Sequence, residues 1–171
     1  MFGLMPRHAG ERPHRGMSDA NEGPALIREY HPADAQRLYQ IDQVCFPGDI
    51  AFSRAELRFC LKHPSSVAKI AEEEGRVVGF ALGRVALDGA GHVLTLDVIP
   101  EARRRGVGTA LLTALHEEFM RRNVAVSVLE VDTSDSGARC FYERMGYEWV
   151  ETIRGYYNGR RDAYRMICFM K

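Results

Sequence analysis

Lysine is nearly missing from this chain: its basic residues are 20 Arg and only 3 Lys. Neither charge is in excess, since 23 basic residues face 23 acidic ones. A general nucleic-acid binder relies on a basic surplus to displace counterions from phosphates, so the balance argues against that class. No apolar run approaches the ~20 residues that a membrane helix needs. The opening residues also lack the apolar stretch of a secretory signal. The four cysteines, at 45, 60, 140 and 168, include no CxxC pair and no zinc-like spacing. Reduced, mostly buried thiols, a cytoplasmic location and no metal or membrane partner are therefore expected.

What is present suits a soluble domain. The 171 residues are 46% hydrophobic, enough for one real core. Residues 1–24 are rich in Gly and Pro, without periodicity, and read as a flexible tail, with Met17 as an alternative initiator. Residues 25–171 form the expected domain. Ala25–Glu29 reads as a short strand, and Leu38, Ile41, Val44 and Cys45 place an amphipathic helix over Pro32–Phe46. Ser53 with Glu56 has capping-box spacing for a second helix that stops near His63-Pro64.

Strands follow over 67–72, 76–87 and 92–98, and the residues on both of their faces are small or apolar. A helix is expected over 106–122 and a central strand over 124–131. A helix capped by Ser134 or Asp135 then runs to Met145, and two strands close the chain at 147–153 and 161–170. The order β-α-α-β-β-β-α-β-α-β-β defines a mixed α/β domain.

The segment Val98-Ile99-Pro100-Glu101-Ala102-Arg103-Arg104-Arg105-Gly106-Val107-Gly108-Thr109 carries the clearest chemistry. A strand ends at Pro100, and a basic glycine loop opens a helix. Unpaired N–H groups and the positive dipole end make such a turn a seat for pyrophosphate. It is no P-loop, because the chain has no Gly-Lys pair, and no dinucleotide fingerprint, because Leu111 stands at the third glycine position.

Arg103-x-x-Gly106-x-Gly108 does match the Arg/Gln-x-x-Gly-x-Gly/Ala signature of the GNAT acyltransferases. Leu129-Glu130-Val131, followed by Ala138-x-x-x-Tyr142-x-x-x-Gly146-Tyr147, resembles a second hallmark of that superfamily. The ending Tyr156-Tyr157…Asp162-Ala163…Met166 looks like that of the RimI-like ribosomal-protein-alanine N-acetyltransferases. The resemblance spans residues 25 to 171 and is most specific from 93 to 166.

That resemblance implies the GNAT fold, a central, mixed but mostly antiparallel sheet with helices on both faces. It also implies acetyl-CoA as donor, an amine acceptor and direct attack without a covalent enzyme intermediate. Arg103, Arg104, Arg105, Gly106, Val107, Gly108 and Thr109 would hold the pyrophosphate. Leu96, Asp97 and Val98 would line the pantetheine arm. Glu130 takes the place of the family's base, and partial desolvation beside Val124, Val126 and Val128 should raise its pKa. Its plainer role is to cap a turn or pair with an arginine.

Tyr142 takes the place of the tyrosine that protonates the departing thiolate and contacts the cofactor. It also belongs to an apolar stripe with Ala138, Phe141 and Met145. Asp135 stands where the family usually has a cofactor-contacting Asn, and a carboxylate there would repel phosphate. The loop after Pro47 has Gly48-Asp49 in place of a frequent Trp, so Phe46 and Asp49 mark an acceptor side of uncertain identity.

Asn158-Gly159 suits a two-residue type I′ turn. A hairpin that short leaves the acceptor groove open to a peptide end, within reach of Tyr156 and Tyr157. The expected acceptor is therefore a protein or peptide N-terminus, ribosomal proteins included, handled by a monomer or weak dimer. A lysine side chain or small amine is the alternative acceptor, and a non-catalytic acyl-CoA-binding module the alternative class. His31, His63, His92 and His116 read as surface or turn residues.

Overall fold

The computed structural model describes residues 25–46, 48 and 50–171. The expected tail over 1–24 and Asp49 lie outside the described residues. The elements are β1 (Leu26–Glu29), α1 (Ala35–Cys45), α2 (Arg54–Lys62), β2 (Ser66–Glu73), β3 (Arg76–Val85), β4 (Gly91–Val98), α3 (Val107–Arg121), β5 (Val126–Asp132), α4 (Ser136–Arg144), β6 (Glu148–Tyr157) and β7 (Arg161–Phe169). Their order is the one expected. The seven strands form one sheet in the order β1-β2-β3-β4-β5-β7-β6, and β4–β5 is the parallel pair.

Two differences are local. The first helix is split, with a 3-10 turn at Pro32–Asp34 ahead of α1. His31 and Asp34 cap that turn reciprocally, as the Asp34 carboxylate accepts the His31 N–H at 2.9 Å. The strand expected over 147–153 continues to Tyr157, because pairing with β7 resumes at Tyr157 opposite Arg161 after an irregularity. The second helix begins as expected. Ser53 Oγ accepts the Glu56 N–H at 3.2 Å, and the Glu56 carboxylate accepts the Ser53 N–H at 2.8 Å.

Apolar side chains cover both faces of the sheet. On one face α3 and α4 pack over Val93, Leu129, Val131 and Met166, with Leu111, Leu112, Leu115 and Phe119 fully buried. On the other, Leu38, Ile41 and Leu57 of α1 and α2 pack on Ile70, Phe80 and Leu82. An irregularity in β4 decides which face each later residue takes. Leu82 opposes Thr95 while Gly83 opposes Val93, so Leu94 is the extra residue of a bulge. Gly91 and Val93 face α3, yet beyond the bulge Leu96 and Val98 take over that face. Asp97 consequently faces α1.

Phe119 lies directly on the strand backbone. A Cβ added at Gly91 would fall 2.5 Å from its ring, and one at Gly83 would fall 2.6 Å from it. The buried ring has nowhere to retreat, so only glycine fits. Gly91→Ala should therefore destabilise the fold by roughly 1–3 kcal/mol through overpacking. Urea unfolding would show this as a lowered midpoint, and an unchanged midpoint would contradict the packing.

Candidate active site

Strands β4 and β5 are registered at Gly91↔Ser127 and His92↔Val128. Beyond that point β4 continues its ladder with β3, pairing Ala81↔Leu96, Phe80↔Asp97 and Gly79↔Val98, while β5 pairs with β7. The parting strands open a wedge along the backbone of Leu96, Asp97 and Val98. The Val98 carbonyl is held by the protein itself, accepting from Arg103 Nε at 2.8 Å and from Cys45 Sγ at 3.4 Å.

The glycine loop stands at the mouth of this wedge. A 3-10 turn over Pro100–Ala102 leads to Arg103, and Arg104 then adopts φ 65 and Gly106 φ 84 before α3 begins. Gly106 suits this left-handed position, while Arg104 bears the strain of one. No side chain caps the start of α3. A Cβ at Gly108 would meet Phe141 only at an ordinary 3.6 Å, so internal packing does not require that glycine. Arg103 reaches back to Val98, and Arg105 forms an ion pair with Glu73. These two side chains brace the loop. Its backbone N–H groups at the uncapped start of α3 are suited to an anion, with Val107 buried beneath and Thr109 exposed.

Glu130 sits on β5 near the fork. Its Oε1 accepts from Arg165 Nε at 3.0 Å, and its Oε2 lies 2.6 Å from His92 Nε2 and 3.3 Å from the Tyr156 hydroxyl. The carboxylate is 5% exposed and the His92 side chain 32%. The expected rise in its pKa is reversed. Burial does push the carboxyl up, but the hydrogen bond and charge of His92 and those of Arg165 outweigh it, and the group lies below its ordinary value. An ionised Glu130 makes the His92 nitrogen the donor. Burial and the neighbouring Glu130 raise the Tyr156 phenol to about 12.

Tyr142 projects from α4 with its ring edge against Phe141 and Tyr147. Burial first, then the nearby Asp97, Tyr157 and Asp135, raises its pKa, so its hydroxyl keeps its proton. Tyr157 stacks edge-on to Tyr156, and Arg161 lies 5.7 Å from its ring. Asn158 and Gly159 have φ 53 and 72, and Arg160 N–H donates to the Tyr157 carbonyl at 3.0 Å, but Tyr157 pairs with Arg161, so the connection is three residues and not the expected two.

Two further candidates sit at helix ends. Asp135 Oδ1 accepts the Ala138 N–H at 2.8 Å as the N-cap of α4, so that carboxylate is occupied by a helix end. Phe46 is the half-buried C-cap of α1. Two histidines were misjudged from sequence. His92 joins Glu130, and its place in a strand directly ahead of the fork was the available signal. His116 Nε2 lies 2.7 Å from the Tyr147 hydroxyl, and burial lowers its pKa to about 4. It is a neutral packing residue.

Residues 35–147 match the acetyltransferase (GNAT) family. The chain belongs to that family and is an N-acetyltransferase, an acyltransferase by class. It is 36% identical over 143 residues to an uncharacterized N-acetyltransferase of Methanocaldococcus jannaschii, covering 83% of this chain and 90% of that one. It is 30% identical over 152 residues to an N-alpha-acetyltransferase of Sulfurisphaera tokodaii, covering 82% and 90%. The solved ribosomal-protein-S18-alanine N-acetyltransferase of Escherichia coli superposes with a TM-score of 0.78 at 27% identity, over 86% of this chain and 94% of that one. The RimI-like resemblance holds. Among the described residues no helix is long and apolar enough to cross a membrane.

Arg165→Met should move the Glu130 titration upward, because its positive partner is lost. The sign for stability follows. A carboxyl held below its unfolded value near 4.3 contributes stability above that pH and loses it as pH falls. The variant should lose less on acidification than the wild type. Carboxyl-carbon NMR and melting between pH 3 and 6 would check both, and an unmoved titration would contradict the pairing.

Proposed function

We propose that this GNAT enzyme transfers acetyl from acetyl-CoA to the N-terminal α-amine of a protein or peptide. The observation that carries the reading is the Glu130–His92–Tyr156 cluster at the fork of β4 and β5. The named activity of the Sulfurisphaera relative and that of the Escherichia coli structure support the acceptor class.

The residues present fit the donor. Uncapped N–H groups at the start of α3, with Gly106 and Gly108, suit a pyrophosphate. The β4 edge at Leu96 and Asp97 suits an extended amide-bearing arm. When bound, acetyl-CoA supplies the activated acyl group.

The rest is done by side chains. A terminal amine has a pKa of about 8 and must shed a proton before it attacks. Glu130, held ionised by Arg165, is too weak a base to take that proton unaided. His92 is half-exposed and hydrogen-bonded to Glu130, and imidazole carries protons readily near neutral pH. Glu130 accordingly orients His92, and the two together act as the base. Tyr142, which keeps its proton, is the donor to the departing thiolate. Tyr156 and Tyr157 flank the acceptor backbone at the short hairpin. Ribosomal proteins fall within this acceptor class, and a cytoplasmic site of action accords with it.

Glu130→Gln should lower kcat/KM about a hundredfold while leaving acetyl-CoA affinity within about twofold. Thiol release against N-terminal peptides, amino acids and polyamines tests the acceptor. Turnover with a polyamine but with no peptide would overturn the reading, as would full activity of the Gln variant at neutral pH.

A further inference from the structure

Pairing between β6 and β7 is uneven at the end nearest the fork. Ile153 pairs with Ala163 and Tyr157 with Arg161, so Arg154, Gly155 and Tyr156 together oppose Asp162 alone. Such an insertion leaves backbone groups off the ladder, and another partner must hold them. Asp162 supplies it. Its Oδ1 accepts the Gly155 N–H at 2.8 Å, and the Gly155 carbonyl accepts the Gly159 N–H at 2.8 Å. Gly155 has φ 62, and a Cβ there would fall 3.2 Å from the Gly159 Cα, so the chain coils back over a glycine.

The same aspartate is tied to the fork. Its backbone carbonyl accepts the Thr133 N–H at 3.1 Å, directly beyond the end of β5. Arg161 beside it donates to Asp132 Oδ2 at 3.1 Å. The start of β7 is thereby fixed to the strand that carries Glu130, and the Asp162 carboxylate carries that fixed point across to β6.

The placing of two tyrosines follows. Neighbouring residues of a regular strand point to opposite faces. Here the Tyr156 hydroxyl donates to Glu130 Oε2 at 3.3 Å. Tyr157 lies against the Arg161 guanidinium that holds Asp132, two residues along β5 from Glu130. Both tyrosines therefore serve one side of the sheet, which the extra residues of β6 allow. A regular ladder continued from Ile153 would set Gly155 opposite Arg161 and leave both tyrosines in the turn.

We propose that Asp162 is a positioning residue for the acceptor site: its carboxylate locks the Gly155 bulge, and the bulge aims Tyr156 and Tyr157 at the acceptor. The claim about the acceptor rests on the acetyltransferase reading above, while the lock itself does not. Asp162 acts through the β6 backbone alone. Asn, which keeps an acceptor oxygen, should therefore serve in its place, and Ala should not.

In amide NMR of the full chain, the wild-type Gly155 proton should lie downfield and exchange slowly. A fast-exchanging Gly155 amide overturns the lock, and that measurement needs no variant to fold. Asp162→Asn should keep the protection and Asp162→Ala should lose it, and equal protection in both also overturns the lock.

For positioning, Asp162→Ala should raise peptide KM about tenfold, with kcat within about threefold and acetyl-CoA Kd within about twofold of wild type. Asp162→Asn should restore KM. On a background carrying Tyr156→Phe and Tyr157→Phe the Ala change should cost less than about twofold, because the hydroxyls it positions are already gone. An unchanged KM, a loss confined to kcat, no rescue by Asn, or a full tenfold cost on that background overturns the positioning role. Wild-type turnover of polyamines with no peptide fails the acceptor reading and the positioning role with it, and the Gly155 amide still decides the lock.

Discussion

The separation of β4 from β5 after two residue pairs is the constraint on which the site depends. Strands in register for their whole length would close their backbone groups against one another. Here β5 turns its ladder to β7 and β4 keeps only β3, so a strip of main chain opens at the sheet's centre. The wedge receives its basic glycine loop from the end of β4. It receives its carboxylate and imidazole from the last residues before and beyond the fork. Apolar cores on both faces hold the separation rigid.

The electrostatics of the site follow from who neighbours whom. Glu130 is buried enough for desolvation to raise its pKa, yet two partners reverse the outcome. In the proposed mechanism that makes it the orienting member of a pair and not a solitary base. Tyr142 has no cationic neighbour to ease its ionisation, so burial keeps it protonated. Asp97 is fully buried, and desolvation raises it despite the Thr95 hydrogen bond and the charge of Arg103. Three ionisable groups of the wedge thus end in different states, Glu130 set by its partners and Tyr142 and Asp97 chiefly by burial.

Much was legible beforehand because it depends on short-range chemistry. The capping box at Ser53 and Glu56, the Asp135 cap, and the left-handed Gly106 and Asn158-Gly159 positions are local requirements read from neighbouring residues. Strand and helix periods are local too. The bulge at Leu94 was not legible, since an extra residue in a run of apolar side chains leaves the alternation ambiguous. His92 was passed over because its partner lies 38 residues away.

By itself the sequence determined the order of elements, the basic glycine loop ahead of α3 and the residue types able to do acyl-transfer chemistry. Each of those rests on contacts among residues within a few positions of one another. Tertiary structure alone decided that Glu130 is ionised, that His92 accompanies it, and that the β4 bulge turns Asp97 into the interior. Those outcomes depend on strand register and on burial, which arise only when distant segments pack and exclude water.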